Sequence, residues 1–132
     1  MKLRYYTDEE LRILNDNIFV KEVRYKREIV YDPIFKLWCI MMRLDLPELT
    51  GKQIFERGGF DTTILHDNLP YRRIATWLNN YKKYGIHYFL PEYEPYCTKN
   101  VIKKEESIDK FKLQLLKCVL TRLKEIENEK AW

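Results

Sequence analysis

The sequence predicts a mainly α-helical protein: a three-helix core of helix-turn-helix type, preceded by a small extended element and followed by a long C-terminal helix. Three observations carry that expectation. Helix-start signals recur at Thr7, Asp32-Pro33, Thr50 and Pro70. Apolar residues after each signal recur at the three-to-four-residue spacing of one helix face. Pro47, Gly58-Gly59 and Gly85 then close the runs.

Taken in order, Thr7 with Glu10 three residues on is a capping-box pair, and Leu11, Ile13 and Leu14 make a short apolar stripe ending near 15–17. Residues 18–31 turn β-branched and aromatic (Ile18, Phe19, Val20, Val23, Tyr25, Ile29, Val30, Tyr31) with charges between them, which predicts a loose hairpin although no glycine marks its turn. Asp32-Pro33 starts the next helix, whose apolar stripe is Ile34, Leu37, Trp38, Met41 and Met42, ending before Pro47. Thr50 caps a short helix that turns Ile54 and Phe55 inward and stops at Gly58-Gly59. Asp61 caps a single turn through Ile64-Leu65.

The following helix spans roughly 69–84, with Tyr71, Ile74, Trp77, Leu78 and Tyr81 on its apolar face and Gly85 at its end. Residues 86–100, with Pro91, Pro95, Tyr88, Phe89, Tyr93 and Tyr96, form an aromatic connector rather than a flexible linker. A last helix runs from about Ser107 to Glu129. It carries two apolar lines, Ile108-Phe111-Leu115-Val119-Ile126 and Leu113-Leu116-Leu120-Leu123, the second heptad-like over a short span. The chain thus divides into an N-terminal helix and extended element (1–31), a helix-turn-helix core (32–85), the connector (86–100) and a C-terminal packing or dimerisation helix (101–132).

The 132 residues, 45% hydrophobic and 33% charged with four Gly and five Pro, suit one principal globular domain and leave no room for two catalytic ones. The longest apolar run, Leu37 to Met42, is far short of the roughly 20 residues that cross a bilayer. Asp8-Glu9-Glu10 follows the N-terminus at once, leaving no apolar signal core. Cys39, Cys97 and Cys118 are an odd set at wide spacing with no metal-ligand pattern. A cytoplasmic protein with reduced thiols, no cofactor and no metal is expected.

Catalysis finds little support. Asp61 and Asp67 read as cap and turn residues, His66 as a turn residue. His87 and Cys97 lack an orienting third group or an oxyanion hole for nucleophilic chemistry. The chain is expected not to be an enzyme. Tyr88, Tyr93 and Tyr96 could stack on bases, but Glu92 and Glu94 lie among them and packing against the helices is the better expectation.

The net charge of +4 is modest, but its distribution is uneven. From Asn68 to Gly85 there are Arg72, Arg73, Lys82 and Lys83 and no acid. A charged helix face is commonly just the solvated one, yet ordinary surface helices mix Glu with Lys. Arg72, Thr76, Asn79 and Lys83 fall on one stripe. Arg can read guanine bidentately, Asn can read adenine, and Thr and Lys can hold base or phosphate. Helix, short helix and basic helix is the order of a helix-turn-helix, whose last helix enters the major groove. The residues expected to contact duplex DNA are therefore Arg72, Arg73, Thr76, Asn79, Asn80 and Lys83, with Lys52 at the start of the bracing helix as a phosphate contact.

A resemblance agrees with this. The segments Tyr5-Tyr6-Thr7-Asp8-Glu9-Glu10-Leu11-Arg12-Ile13-Leu14, Val20-Lys21-Glu22-Val23 and Asp32-Pro33-Ile34-Phe35-Lys36 precede the sharpest run, Gly51-Lys52-Gln53-Ile54-Phe55-Glu56-Arg57-Gly58-Gly59-Phe60-Asp61. Ile64-Leu65 and Arg73-Ile74 follow. Over roughly residues 5–84 the chain resembles small helix-turn-helix proteins of Gram-positive bacteria, which are similar to the first-frame protein of two-frame insertion-sequence transposases. The resemblance implies binding to transposon ends or operators, and a homodimer through a C-terminal zipper, here Ile108 to Ile126. Between Gly59 and Tyr71 this chain is longer than the usual three-to-four-residue turn, and its zipper is short, so a stand-alone transcriptional regulator fits as well as a transposase-associated protein. The competing expectation is a non-enzymatic protein-interaction module that uses the C-terminal helix.

Overall fold

The computed structural model describes residues 5–66, 68–90 and 107–129, with side chains of the last segment described from 110. Helix α1 (Asp8–Asn15) begins at the expected capping box: the Glu10 N–H donates to Thr7 Oγ1 at 3.1 Å and the Thr7 N–H to Glu10 Oε1 at 2.9 Å. Strands β1 (Val20–Arg24) and β2 (Glu28–Tyr31) form the antiparallel hairpin, pairing Val20 with Tyr31, Val23 with Ile29 and Arg24 with Glu28. The register slips between Val20 and Glu22, which makes Lys21 the extra residue of a bulge. No glycine turns the hairpin because Tyr25 and Lys26 themselves take φ of 54° and 56°, and the Arg27 N–H donates to the Arg24 carbonyl at 3.0 Å. Two left-handed central residues are what a type I′ turn requires.

Asp32 caps α2 (Pro33–Asp45) by accepting from the Ile34 N–H at 2.9 Å, with Pro33 in the first turn. Here the single apolar stripe expected for this helix needs correction. Phe35, Leu37, Cys39, Ile40 and Met42 are buried, while Ile34, Trp38 and Met41 are only partly so. The helix is central: it packs against α3 (Gly51–Arg57) and α4 (Leu69–Tyr84) and also against α5 (Ser107–Glu129), and a helix covered on more than one side buries more than one stripe.

Thr50 and Gln53 close a second capping box at the start of α3, and Ile54 and Phe55 point inward as expected. The two glycines after it have different tasks. Gly59 supplies the left-handed residue at φ 88°, whereas Gly58 is needed for space, since a Cβ there would lie 2.5 Å from Phe35 Cε1. A 3-10 turn at Thr62–Ile64, capped by Asp61, leads towards α4, which ends at Gly85 with φ 78°. Pro70, Ile74, Trp77 and Tyr81 form the buried face of α4. Tyr71, expected on that face, is instead 67% exposed, because the buried stripe runs at i, i+4, i+7 and i+11 from Pro70 rather than from Tyr71.

Phe35 is the hub of the core. Its ring lies 5.3 Å from Phe19, 5.2 Å from Phe55, 5.0 Å from Phe60 and 6.1 Å from Trp77, in stacked, tilted and edge-on pairings. Removing such a ring from a close-packed site costs about 3–5 kcal/mol. Tyr31 at the end of β2 joins the cluster, 5.8 Å from Phe35 and 5.1 Å from Trp77, so the hairpin and the helices share one core.

The C-terminal helix folds back onto this body. Leu113, Leu116, Val119, Leu123 and Ile126 are buried, a face drawn from both of the expected apolar lines, while Phe111 is exposed. Ion pairs hold it to α2 at both ends: Lys112 Nζ to Asp32 at 2.9 Å, and Arg122 to Asp45 through Nε and Nη2. The Tyr81 hydroxyl donates to Glu127, tying α4 to the same helix. The expectations for Asp67, for Tyr93, Tyr96 and Cys97 in the connector, and for the Ile108 side chain fall outside the described residues. Of the other cysteines, Cys39 is fully buried and Cys118 exposed. Among the described residues no helix is long and apolar enough to cross a membrane, and no three His, Cys, Asp or Glu side chains gather as a metal site.

Candidate nucleic-acid interface

Because Pro70, Ile74, Trp77 and Tyr81 fix which way α4 faces, the opposite side must meet solvent. At 3.6 residues per turn, Arg72, Thr76, Asn79 and Lys83 lie within an arc of about 60° diametrically across from the core. All four are exposed. Their stripe covers roughly 16 Å of helix, from a rise of 1.5 Å per residue. Neither Arg72 nor Lys83 makes an ion pair among the described residues. By contrast, Lys112 and Arg122, the α5 cations facing the body, are each paired with a carboxylate of α2 or its cap.

The other expected residues sit around this stripe. Arg73 and Asn80 occupy the flank of α4, Arg73 towards the hairpin; Arg73 is exposed, while Asn80 is partly covered and its Nδ2 donates to the Tyr88 hydroxyl at 3.3 Å. Tyr88 in turn stacks on Tyr84, ring centroids 5.1 Å apart. Asn80 is thus held by a neighbour, whereas the Asn79 amide makes no hydrogen bond among the described residues. Lys52 is exposed in the first turn of α3. Beside it, Gly51 meets the backbone of Pro70 and Tyr71 so closely that a Cβ would lie 2.8 Å from the Tyr71 nitrogen. The starts of α3 and α4 are therefore side by side, with Lys52 exposed one residue after that contact. The helix-end amides are not all open to a ligand there, since Gln53 already donates to Thr50 Oγ1.

Two cations that spacing along α4 could not reveal join the site from elsewhere. Arg24 of β1 and Lys36 of α2 line a groove of about 230 Å³ together with Arg73, Tyr31 and Trp77. Lys36 Nζ lies 5.9 Å from the centre of the Trp77 ring. Burial, and then the neighbouring charges of Lys21 and Arg73, hold the Lys36 ammonium below the usual lysine range. The hairpin charge Arg24 was visible in the sequence; that it shares a groove with Arg73 of α4 depends on the Tyr31 contact with Trp77.

Compared with known proteins, the chain matches no protein-family model, no curated protein and no solved structure.

Proposed function

We propose that the protein binds duplex DNA sequence-specifically, with α2, α3 and α4 acting as a helix-turn-helix in which α4 enters the major groove. The observation that carries this reading is the exposed, acid-free stripe Arg72-Thr76-Asn79-Lys83, whose cations have no carboxylate partners among the described residues. A 16-residue helix is about 24 Å long and a major groove about 12 Å wide, so α4 can lie along the groove with the stripe against base edges. Arg72 and Asn79 are the base readers; Lys83, Arg73 and Lys52 hold phosphates. The connection from Gly58 to Asn68 is longer than an ordinary helix-turn-helix turn, and the Gly51 contact with Tyr71 supplies the bracing that a short turn would otherwise give. In this role the protein acts as a transposase-associated factor or a transcriptional regulator.

The interaction-module reading is weakened by α5, whose apolar face is used within the chain. A homodimer through that helix would have to use its remaining surface, where Phe111 is the large exposed apolar side chain among the described residues.

Fluorescence anisotropy of a labelled random duplex, titrated at several salt concentrations, tests the proposal. Released counterions give a log-log slope of about −0.9 per phosphate contact, so a slope of roughly −3 or steeper is expected. Absence of binding at low salt overturns the reading.

A further inference from the structure

The α4 stripe leaves a second feature unused. On the hairpin side of α4, Arg24, Lys36 and Arg73 converge on the groove whose walls include Tyr31 and Trp77, with Glu28 as the acid on its lining. Lys36 and Arg73 make no ion pair among the described residues, and Arg24 has only an exposed contact with Glu22 at 3.5 Å. Three cations from three different elements share a concave site with one acid. That excess calls for an anion. Burial first, and then Lys21 and Arg73 against the smaller opposing pull of Asp32, disfavour the Lys36 ammonium, a penalty that an anion in the groove would relieve.

A separate observation concerns the hairpin tip. Tyr25 and Lys26 hold left-handed backbone where Asn-Gly would be cheaper, and Tyr25 is 75% exposed. Backbone strain kept at an exposed position, with bulky side chains in place of the residues that would remove it, points to use of those side chains. Arg24, Lys26 and Arg27 make the tip basic. Arg73 connects the two surfaces, since it lies on the flank of α4 between the outward stripe and the groove.

We propose that the groove between the hairpin and α4 holds a backbone phosphodiester of the bound duplex, so that the β1–β2 hairpin is a second DNA-contacting element beside the recognition helix. This inference rests on the DNA-binding reading of α4. Lys36 and Arg24 supply the charge-assisted hydrogen bonds from the side opposite Arg73, and the tip reaches along the same strand.

The test compares five proteins on one labelled duplex across a salt series: wild type, Arg24→Gln with Lys36→Gln, Arg24→Gln alone, Arg72→Gln with Lys83→Gln, and a charge-matched control, Lys117→Gln with Lys124→Gln, on the exposed side of α5. The groove variant should lower the magnitude of the log-log slope by about 1.8, two contacts at 0.9 each, while the control keeps the wild-type slope. Arg24→Gln alone, at an exposed strand end outside the core, should lower it by about 0.9. If the groove variants keep the wild-type slope, or the control changes it equally, the hairpin contact is wrong. The DNA-binding reading then survives provided the α4 variant still loses binding. If the wild type binds no duplex, both fall together.

Discussion

The Asp32 carboxylate is shared between its own helix and Lys112, 80 residues away: Oδ1 accepts from the Ile34 N–H and Oδ2 from Lys112 Nζ, each at 2.9 Å. Both side chains of the ion pair are largely shielded from solvent. One residue thus starts α2 and anchors α5. Asp32→Ala should remove cap and anchor together and destabilise the protein by about 1–2 kcal/mol. Asp32→Asn keeps a capping oxygen and loses only the charge, so it should give the smaller loss in urea denaturation. Equal losses for the two variants would show that the cap contributes little.

Tyr31 presents the opposite case, a buried group without a partner. Its ring is packed among Phe35, Phe55, Phe60 and Trp77, yet its hydroxyl has no hydrogen bond among the described residues. An unsatisfied buried polar group costs about 1–3 kcal/mol, so Tyr31→Phe should raise the melting temperature rather than lower it.

The same residue predicts an alkaline limit. Burial, and to a lesser degree Tyr6, push the Tyr31 hydroxyl well above the ordinary tyrosine range; burial and the bond to Glu127 do likewise for Tyr81. The unfolded chain ionises these groups near pH 10, while the folded chain keeps their protons. Stability from this source is complete below about pH 10 and declines as pH rises further, because the unfolded state then binds fewer protons. Urea midpoints measured from pH 8 to 11 should fall in the wild type and fall less steeply above 10 in Tyr31→Phe, with Tyr81 and the buried Cys39 thiol, which burial also keeps protonated, contributing to what remains.

The elements whose cause is local were legible in the sequence. Thr7 with Glu10, Asp32 with Pro33, Thr50 with Gln53, and Gly85 each act within one turn of chain, and each stands where spacing put it. Phe35 was not legible as the hub, because a one-stripe reading of α2 assumes one covered side, whereas the hairpin, α3 and α4 close around Phe35 and α5 covers α2 as well. Nor was the buried face of α5, which crosses both apolar lines to fit α2. In the candidate site, Arg72, Thr76, Asn79 and Lys83 share a stripe by helical geometry alone. Arg24 and Lys36 could not be assigned to Arg73 before the hairpin was seen packed against Trp77, and the capture of Asn80 by Tyr88 depends on the 3-10 turn after Gly85.

Gly51 sets the spacing of α3 and α4. A Cβ there would come within 2.9 Å of both the nitrogen and the Cα of Tyr71, and backbone atoms cannot swing aside as a flexible side chain can. Gly51→Ala should therefore push the two helix starts apart and destabilise by about 1–3 kcal/mol, the usual range for overpacking. Gly85→Ala makes a useful contrast: its Cβ meets nothing within 4 Å, and only the positive φ opposes it. At φ 78° and ψ −169° the backbone lies in a region that is essentially glycine's alone, so its loss should be about 1–3 kcal/mol. Thermal melts of both variants decide whether contact or backbone strain is the larger constraint.

Within the α4 stripe, Asn79 and Lys83 are adjacent but should fail differently. Asn can pair bidentately with adenine, an interaction that discriminates between bases by about 1–3 kcal/mol, whereas a Lys contact to phosphate carries no sequence information. Asn79→Ala should leave binding to random duplex nearly unchanged and narrow the gap between the preferred site, obtained by selection from a random pool, and other sequences. Lys83→Ala should weaken binding to every sequence alike and reduce the salt slope by about 0.9. If Asn79→Ala weakens all duplexes equally, the amide is a backbone contact and the reading of bases must lie with Arg72.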